Sequence, residues 1–271
     1  MIDGQSARTS RTKPFLALCA VLHLCACSRP PEKVPPSPIA KVLETPPPHR
    51  DILRKKQKHY SQHDEEVIIR DFFQDRRDGV FLDVGCAWPK KDNNTYFLES
   101  ELEWSGIAVD ALPQYARAWE HQRPRSRFFN YLVTDHVGPA ETFFRPERAD
   151  LSGLSSMAPP KNSSSGRKVP YKEIQVPTTT LTKLLDENHV ARVAFMSLDI
   201  EGAELLALGG FEIQRFRPEL VCVEWFHAGR EKLRSYFAAH GYERIERYLP
   251  YDNVNDYYTP RSAGPAPSPT S

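Results

Sequence analysis

Cysteine is scarce where it would matter. Of five in 271 residues, Cys19, Cys25 and Cys27 lie in the first 27. Only Cys86 and Cys222 remain, each in an apolar, strand-like context. Two thiols so placed form no disulfide framework and read as small hydrophobes. Excess charge is missing too. With 36 Lys and Arg against 35 Asp and Glu, the formal net charge is +1. No bulk field calls for nucleic acid or anionic lipid, and no nucleic-acid partner is expected. The longest greasy run, "PFLALCAVLHLCAC", is shorter than the roughly 20 residues that span a bilayer as a helix. Internal repeats are absent. Glycine is missing at a telling place: the loop "CAWPKKDNNT" has none after Gly85. A GxGxxG fingerprint is therefore excluded, and with it a pyrophosphate cradle of the kind NAD and FAD require.

The first 27 residues have a layout of their own. Arg8, Arg11 and Lys13 precede the greasy run, as in a secretory leader. Its end, Leu24-Cys25-Ala26-Cys27, resembles the lipobox of bacterial lipoproteins, with Cys27 as the lipidated residue. A mis-assigned start or an uncleaved signal anchor is the other reading. Residues 28–50 are proline-rich and favour a semi-rigid, extended tether. The expected location is thus the membrane, through the leader; a cytoplasmic location is the alternative. The tail 261–271 is disordered by composition.

Between these tails, over 51–260, apolar runs alternate with amphipathic ones. "GVFLDVG", "SGIAVDA", "RFFNYLVT", "AETFF", "VAFMSLD" and "LVCVEW" read as strands. "DEEVIIRDFFQ", "NTYFLESELE", "QYARAWEHQ", "TLTKLLDEN", "EGAELLALGG" and "REKLRSYFAAHG" read as helices. "YERIERYL" and "VNDYYTP" close the domain as two strands with no helix between them. The pattern predicts an α/β, doubly wound Rossmann-like sheet, mostly parallel with one antiparallel strand, and helices on both faces.

In such a sheet the ligand sits at the carboxyl ends of the strands. Those ends carry acids: Asp83, Asp110, Asp135, then Asp199 and Glu201, then Glu224. Each has a structural alternative. An acid there can cap the next helix, which is the preferred reading of Glu204, and Asp135 suits a turn equally well. Asp110 closes the second strand, where a carboxylate accepts hydrogen bonds from ribose hydroxyls. Gly85 lets backbone approach a ligand closely. A nucleoside ligand without phosphates fits, and S-adenosylmethionine adds a cationic end that acids favour.

At these residues the sequence resembles the FkbM family of methyltransferases, from roughly Phe81 to Tyr258. The pieces are "FLDVG", "NNTYFLESELEWSGIAVDA", "TTTLTKLLDE", "PELVCVEW" and, most specific, "MSLDIEGAELLALGG" with its D-x-E-G-x-E signature. The resemblance implies S-adenosylmethionine as cofactor and methyl transfer to a hydroxyl of a sugar or other small metabolite. It further implies Asp83, Gly85, Asn94, Asp110 and Asp135 at the cofactor, and Asp199 and Glu201 facing the acceptor. Two departures stand out. Trp88-Pro89 replaces a further glycine in the first loop, and Asp110 stands where the family commonly has Glu.

Loss of the acceptor proton calls for a base within hydrogen-bond reach. Asp199, Glu201 and His227 are the candidates. Histidine has the better-matched pKa, although a lone histidine after a strand is more often structural. Glu201 is alternatively a cap for a helix opening at Gly202. A hard-cation site on Asp199, Glu201 and Glu224 is conceivable, but no metal is assigned. The Gly/Ser-rich stretch 150–168 suggests a lid over the acceptor pocket.

Overall fold

Strand β1 (Val80–Val84) pairs in parallel with β2 (Ser105–Asp110) on one side and with β7 (Phe195–Leu198) on the other. β2 carries β3 (Ser126–Asn130), and β7 carries β8 (Leu220–Glu224), both parallel. β10 (Asn255–Pro260) then runs antiparallel to both β8 and β9 (Tyr242–Arg244). The order is β3-β2-β1-β7-β8-β10-β9. This is the expected doubly wound sheet with one antiparallel strand. The computed structural model describes residues 50–55, 58–148, 155–157, 169–225 and 229–262. The leader with Cys27, most of the proline-rich stretch and His227 lie outside the described residues. Among the described residues no helix is long and apolar enough to cross a membrane.

The strands are nearly continuous in apolar residues because both faces are covered. Alternate side chains feed two separate cores. Leu82, Val84, Met196, Leu198, Val221 and Val223 point into one. There they meet Leu181 and Leu184 of α5 (Leu181–Glu187), Leu208 of α6 (Glu204–Gly209), Phe216 of α7 (Ile213–Phe216) and Phe237 of α8 (Arg230–Ala239). Phe81, Phe195, Leu220 and Cys222 point into the other. That core holds Ile68, Ile69 and Phe73 of α2 (Glu65–Phe73), which follows a short α1 (Ile52–Lys55), and Leu98 and Leu102 of α3 (Tyr96–Leu102). A third cluster gathers Tyr115 and Trp119, the latter on α4 (Ala116–Gln122), with Leu132 and Phe143. α5 begins as its sequence suggests: Thr180 Oγ1 accepts the Lys183 N–H at 3.1 Å, a cap worth about 1 kcal/mol.

Three departures from the sequence expectation concern the strands. "RFFNYLVT" breaks at Tyr131. Its second half, β4 (Leu132–Val133), leaves the main sheet and joins β6 (Tyr171–Thr179) and β5 (Gly138–Pro146) in a side sheet ordered β4-β6-β5. β6 was not foreseen, because Pro177 demotes a strand reading. The register between β5 and β6 shifts between Gly138 and Glu141, so Pro177 falls at an irregularity where no ladder donor is needed. "YERIERYL" is a strand only over Tyr242–Arg244; Glu246–Tyr248 form a 3₁₀ turn. Burial decides this, since Tyr248 turns inward and its hydroxyl donates to Asp71 at 3.0 Å.

Candidate active site

The strand order reverses between β1 and β7, and a crevice opens there at their carboxyl ends. It holds a cavity of about 430 Å³, within the range of roughly 300–1,000 Å³ typical of small-molecule sites. Gly85, Asp110, Asp199 and Glu201 all line it. The side sheet closes it through Leu132, Val133 and Phe143, and Ser155 and Met157 of the expected lid stretch add to that wall. The rest of that stretch, 150–154 and 158–168, lies outside the described residues.

Gly85 is needed for its lack of a side chain. Its φ is +79°, and a Cβ there would meet the Asp199 carbonyl oxygen at 1.7 Å. The first loop therefore lies directly on the backbone of the fourth parallel strand's end. Asp110 is fixed beside it. Its Oδ2 accepts the Ala87 N–H at 3.0 Å and its Oδ1 the Leu112 N–H at 2.8 Å. Burial pushes its pKa up to about 6, against these two hydrogen bonds; the charge of Asp83 adds to the rise. Each oxygen keeps a lone pair for a ligand donor.

Asp83 has a different place. It is buried off the cavity wall, where Oδ2 accepts from Thr95 Oγ1 at 2.7 Å and Asn93 Nδ2 at 3.1 Å. Burial still raises its pKa, with Thr95, Arg123 and Asn93 opposing. Nor does Asn94 reach the cavity; its amide donates to Ser197 Oγ at 3.1 Å and ties the first loop to β7. Asp135 is a turn residue at the surface, paired with His136 at 2.9 Å, and is not part of the cavity wall.

Arg123 gave no sequence signal, since "HQRPRS" reads as an exposed helix end, yet it is 1% exposed. Its guanidinium reaches Glu99 Oε2 at 2.6 Å, the Pro89 carbonyl at 2.8 Å, Asn93 Oδ1 at 3.0 Å and the Thr95 carbonyl at 3.2 Å. One buried cation thus orders the whole first loop.

The β7 end is built otherwise. Asp199 exposes its carboxylate to the open cleft while protein surrounds it on its other sides. Its pKa is raised well above the usual carboxylate range, first by desolvation, then by the charge of Glu224 and a hydrogen bond with it, then by Glu201 and Glu204. Water in the open cleft softens this repulsion, and a ligand that fills the cavity restores it. Glu201 is pushed up to about 7 by burial, then by Glu224 and Glu204. Its φ is +57° and that of Gly202 is +97°, so the D-x-E-G turn holds its glutamate in a left-handed conformation that carries strain. The helix opens at Glu204, not at Gly202. Glu204 caps its own approach: Oε1 accepts from the Gly202 N–H at 3.0 Å and the Ile200 N–H at 3.2 Å. Glu224 Oε2 is buried without a hydrogen-bond partner among the described residues. No group of three or more His, Cys, Asp or Glu among the described residues has an arrangement that could hold a metal ion.

A nucleoside with a cationic sulfur fits this crevice on chemical grounds. Asp110 offers paired acceptors, the glycine at 85 removes bulk, and Asp199 and Glu201 make the far wall acidic.

The family model of the FkbM methyltransferase domain matches residues 77–244. No curated protein matches the chain. Among solved structures, the chain is similar to a TehB-like SAM-dependent methyltransferase from Corynebacterium glutamicum, at 13% identity over 78% of this chain and 94% of that one, TM-score 0.40. It is also similar to the 1,6-didemethyltoxoflavin-N1-methyltransferase of Burkholderia thailandensis, at 15% identity over 72% and 74%, TM-score 0.35. A SAM-dependent methyltransferase from Geobacter sulfurreducens, in complex with S-adenosyl-L-homocysteine, follows at 11% identity over 78% and 96%, TM-score 0.33. Resemblance at this level assigns no substrate.

Proposed function

The chain belongs to the FkbM methyltransferase family, and on that premise we propose that it methylates a hydroxyl oxygen of a sugar or other small metabolite. It is an S-adenosylmethionine-dependent methyltransferase. The cofactor supplies an activated methyl group on a sulfonium. The observation that carries the hydroxyl reading is the pair Asp199 and Glu201. Both carboxylates line the cavity, and both have their proton affinity raised. A carboxylate with a pKa near the working pH is a competent general base. Glu201, at about 7, accepts the hydroxyl proton, and Asp199 lines the cavity beside it. Asp110 and the backbone at Gly85 hold the cofactor's nucleoside. Water exclusion falls to Phe143, Met157 and the side sheet.

Calorimetric titration with S-adenosylmethionine tests the cofactor. Incubation with methyl-labelled cofactor and a panel of sugars tests the acceptor: methyl ethers are expected, and methylamines as the sole products would overturn the hydroxyl reading. A second reading follows from the leader ending at Cys27, which favours a membrane-tethered protein that binds without turnover. Cofactor binding with no product on any acceptor, together with an acyl mass on Cys27, would support it.

A further inference from the structure

Trp88 presents 43% of its surface to solvent, and Val137 is the only other large hydrophobic among the described residues so exposed. Trp88 differs from Val137 in lining the cavity. An aromatic of this size is normally buried, because its surface contributes strongly to packing. Here its exposure is enforced. The carbonyl before it, on Ala87, accepts the Trp119 indole N–H at 2.8 Å. The carbonyl after it, on Pro89, accepts from Arg123 at 2.8 Å. Both donors belong to side chains that are 1% exposed. Ala87 has φ +44°, a left-handed conformation unusual outside glycine. The Trp88 ring meets Tyr115 edge-on, with centroids 5.0 Å apart and planes at 75°. The loop is therefore a rigid mount that holds an indole at the wall of the cavity.

The position of that wall is set by Asp110. The Ala87 N–H donates to the Asp110 carboxylate, so Trp88 is the next residue along from the group that serves the ribose. Ala111, Leu112 and Tyr115 complete an apolar surface on the same side. We propose that Trp88 is a cofactor-binding residue that packs on the nucleoside half of S-adenosylmethionine, an inference that rests on the cofactor assignment above. The indole takes over, through a side chain, contact that a glycine loop would make through backbone. Its cover in the bound state is the ligand itself.

Base–aromatic stacking removed by alanine substitution weakens binding roughly five- to 150-fold. Calorimetry on the full chain with S-adenosylhomocysteine and with adenosine is the test. Trp88→Ala is expected to raise both dissociation constants about tenfold or more, by a similar factor for the two ligands, whereas Trp88→Phe stays within about threefold of the parent. Tryptophan emission adds a second readout. In a Trp225→Phe background, a ligand-dependent change that disappears on adding Trp88→Phe reports Trp88 rather than the buried Trp104 and Trp119. Equal affinities in the parent and Trp88→Ala overturn the proposal, as does emission that ignores saturating adenosine. A Trp88→Ala loss confined to S-adenosylhomocysteine also overturns it, by moving the contact to the amino-acid end. A parent chain that binds neither ligand removes the cofactor assignment and this inference together.

Discussion

Asp83 and Asp110 on the β1–β2 side of the crevice and Asp199 and Glu201 on the β7 side are all acids at strand ends, yet they meet opposite surroundings. On the first side every carboxylate is matched by donors. Thr95 and Asn93 serve Asp83, and two backbone N–H groups serve Asp110. Arg123 lies behind them and its charge favours the ionised Asp83. On both sides desolvation raises the proton affinity of the acids, but on the second side the acids also face other acids, whose charges raise it further. The difference separates a frame, whose groups are satisfied before any ligand arrives, from a reactive wall, whose groups stay unsatisfied until one does. Unsatisfied charge in a crevice destabilises the fold locally and marks functional sites.

The comparison breaks most visibly at Arg123. Arg123→Met leaves Glu99 buried without its cation, and removing one partner of a buried pair costs about 3–5 kcal/mol. Urea denaturation should show that loss, with the first loop's cofactor affinity falling alongside it. On the other side, Asp199→Asn should leave the denaturation midpoint unchanged or raised, because it removes repulsion. Its effect belongs in the rate, because it changes the carboxyl beside the base; Glu201→Gln, which removes the base itself, is expected to lower kcat about 10²- to 10⁴-fold, the usual range for acid–base groups. A destabilisation as large as that of Arg123→Met would place Asp199 in the frame instead.

Asp110→Asn tests the intermediate case. The amide keeps one acceptor and loses the charge, and a hydrogen bond to a charged group contributes about 1.5–3 kcal/mol. Calorimetry should show S-adenosylhomocysteine binding weakened by about tenfold or more, with a stability loss of about 1–3 kcal/mol because one of the two backbone N–H groups loses its acceptor. The smallest effect is in pH dependence. Glu201 has its folded pKa raised from 4.5 to about 7. Between these values the folded state holds the extra proton, so stability declines as pH rises from about 4.5 to about 7. Melting temperatures across that window should flatten in Glu201→Gln, and activity of the parent should rise through about pH 7 as the base deprotonates.

Strand-end acids were legible because the parallel sheet forces ligands to that edge, and the apolar runs that make the strands are plain in the sequence. Their division of labour was not. Asp83 and Asp110 look alike in "FLDVG" and "IAVDA"; only the fold brings Asn93, Thr95 and Arg123 around the first and leaves the second at the cavity. Of Asn93 and Asn94, the resemblance singles out Asn94, while the structure gives the Asp83 carboxylate to Asn93 and Asn94 to Ser197. The side sheet was hidden by Pro177, and Trp88 read only as a departure from a glycine loop.

The sequence by itself determined the alternation of strands and helices, the antiparallel close, the absence of a pyrophosphate loop and the D-x-E-G-x-E turn. These depend on local pattern: periodicity, glycine at a forced turn, and residue types at strand ends. The tertiary structure alone decided which acids are satisfied and which repel, because Asn93 and Thr95 of the first loop and Arg123 just after α4 meet Asp83 only in the folded chain. It also decided that an indole is held open at the cavity wall. Proton affinity and ligand contact depend on what surrounds a group in space, and that is settled only when β1, β2 and β7 bring their ends together.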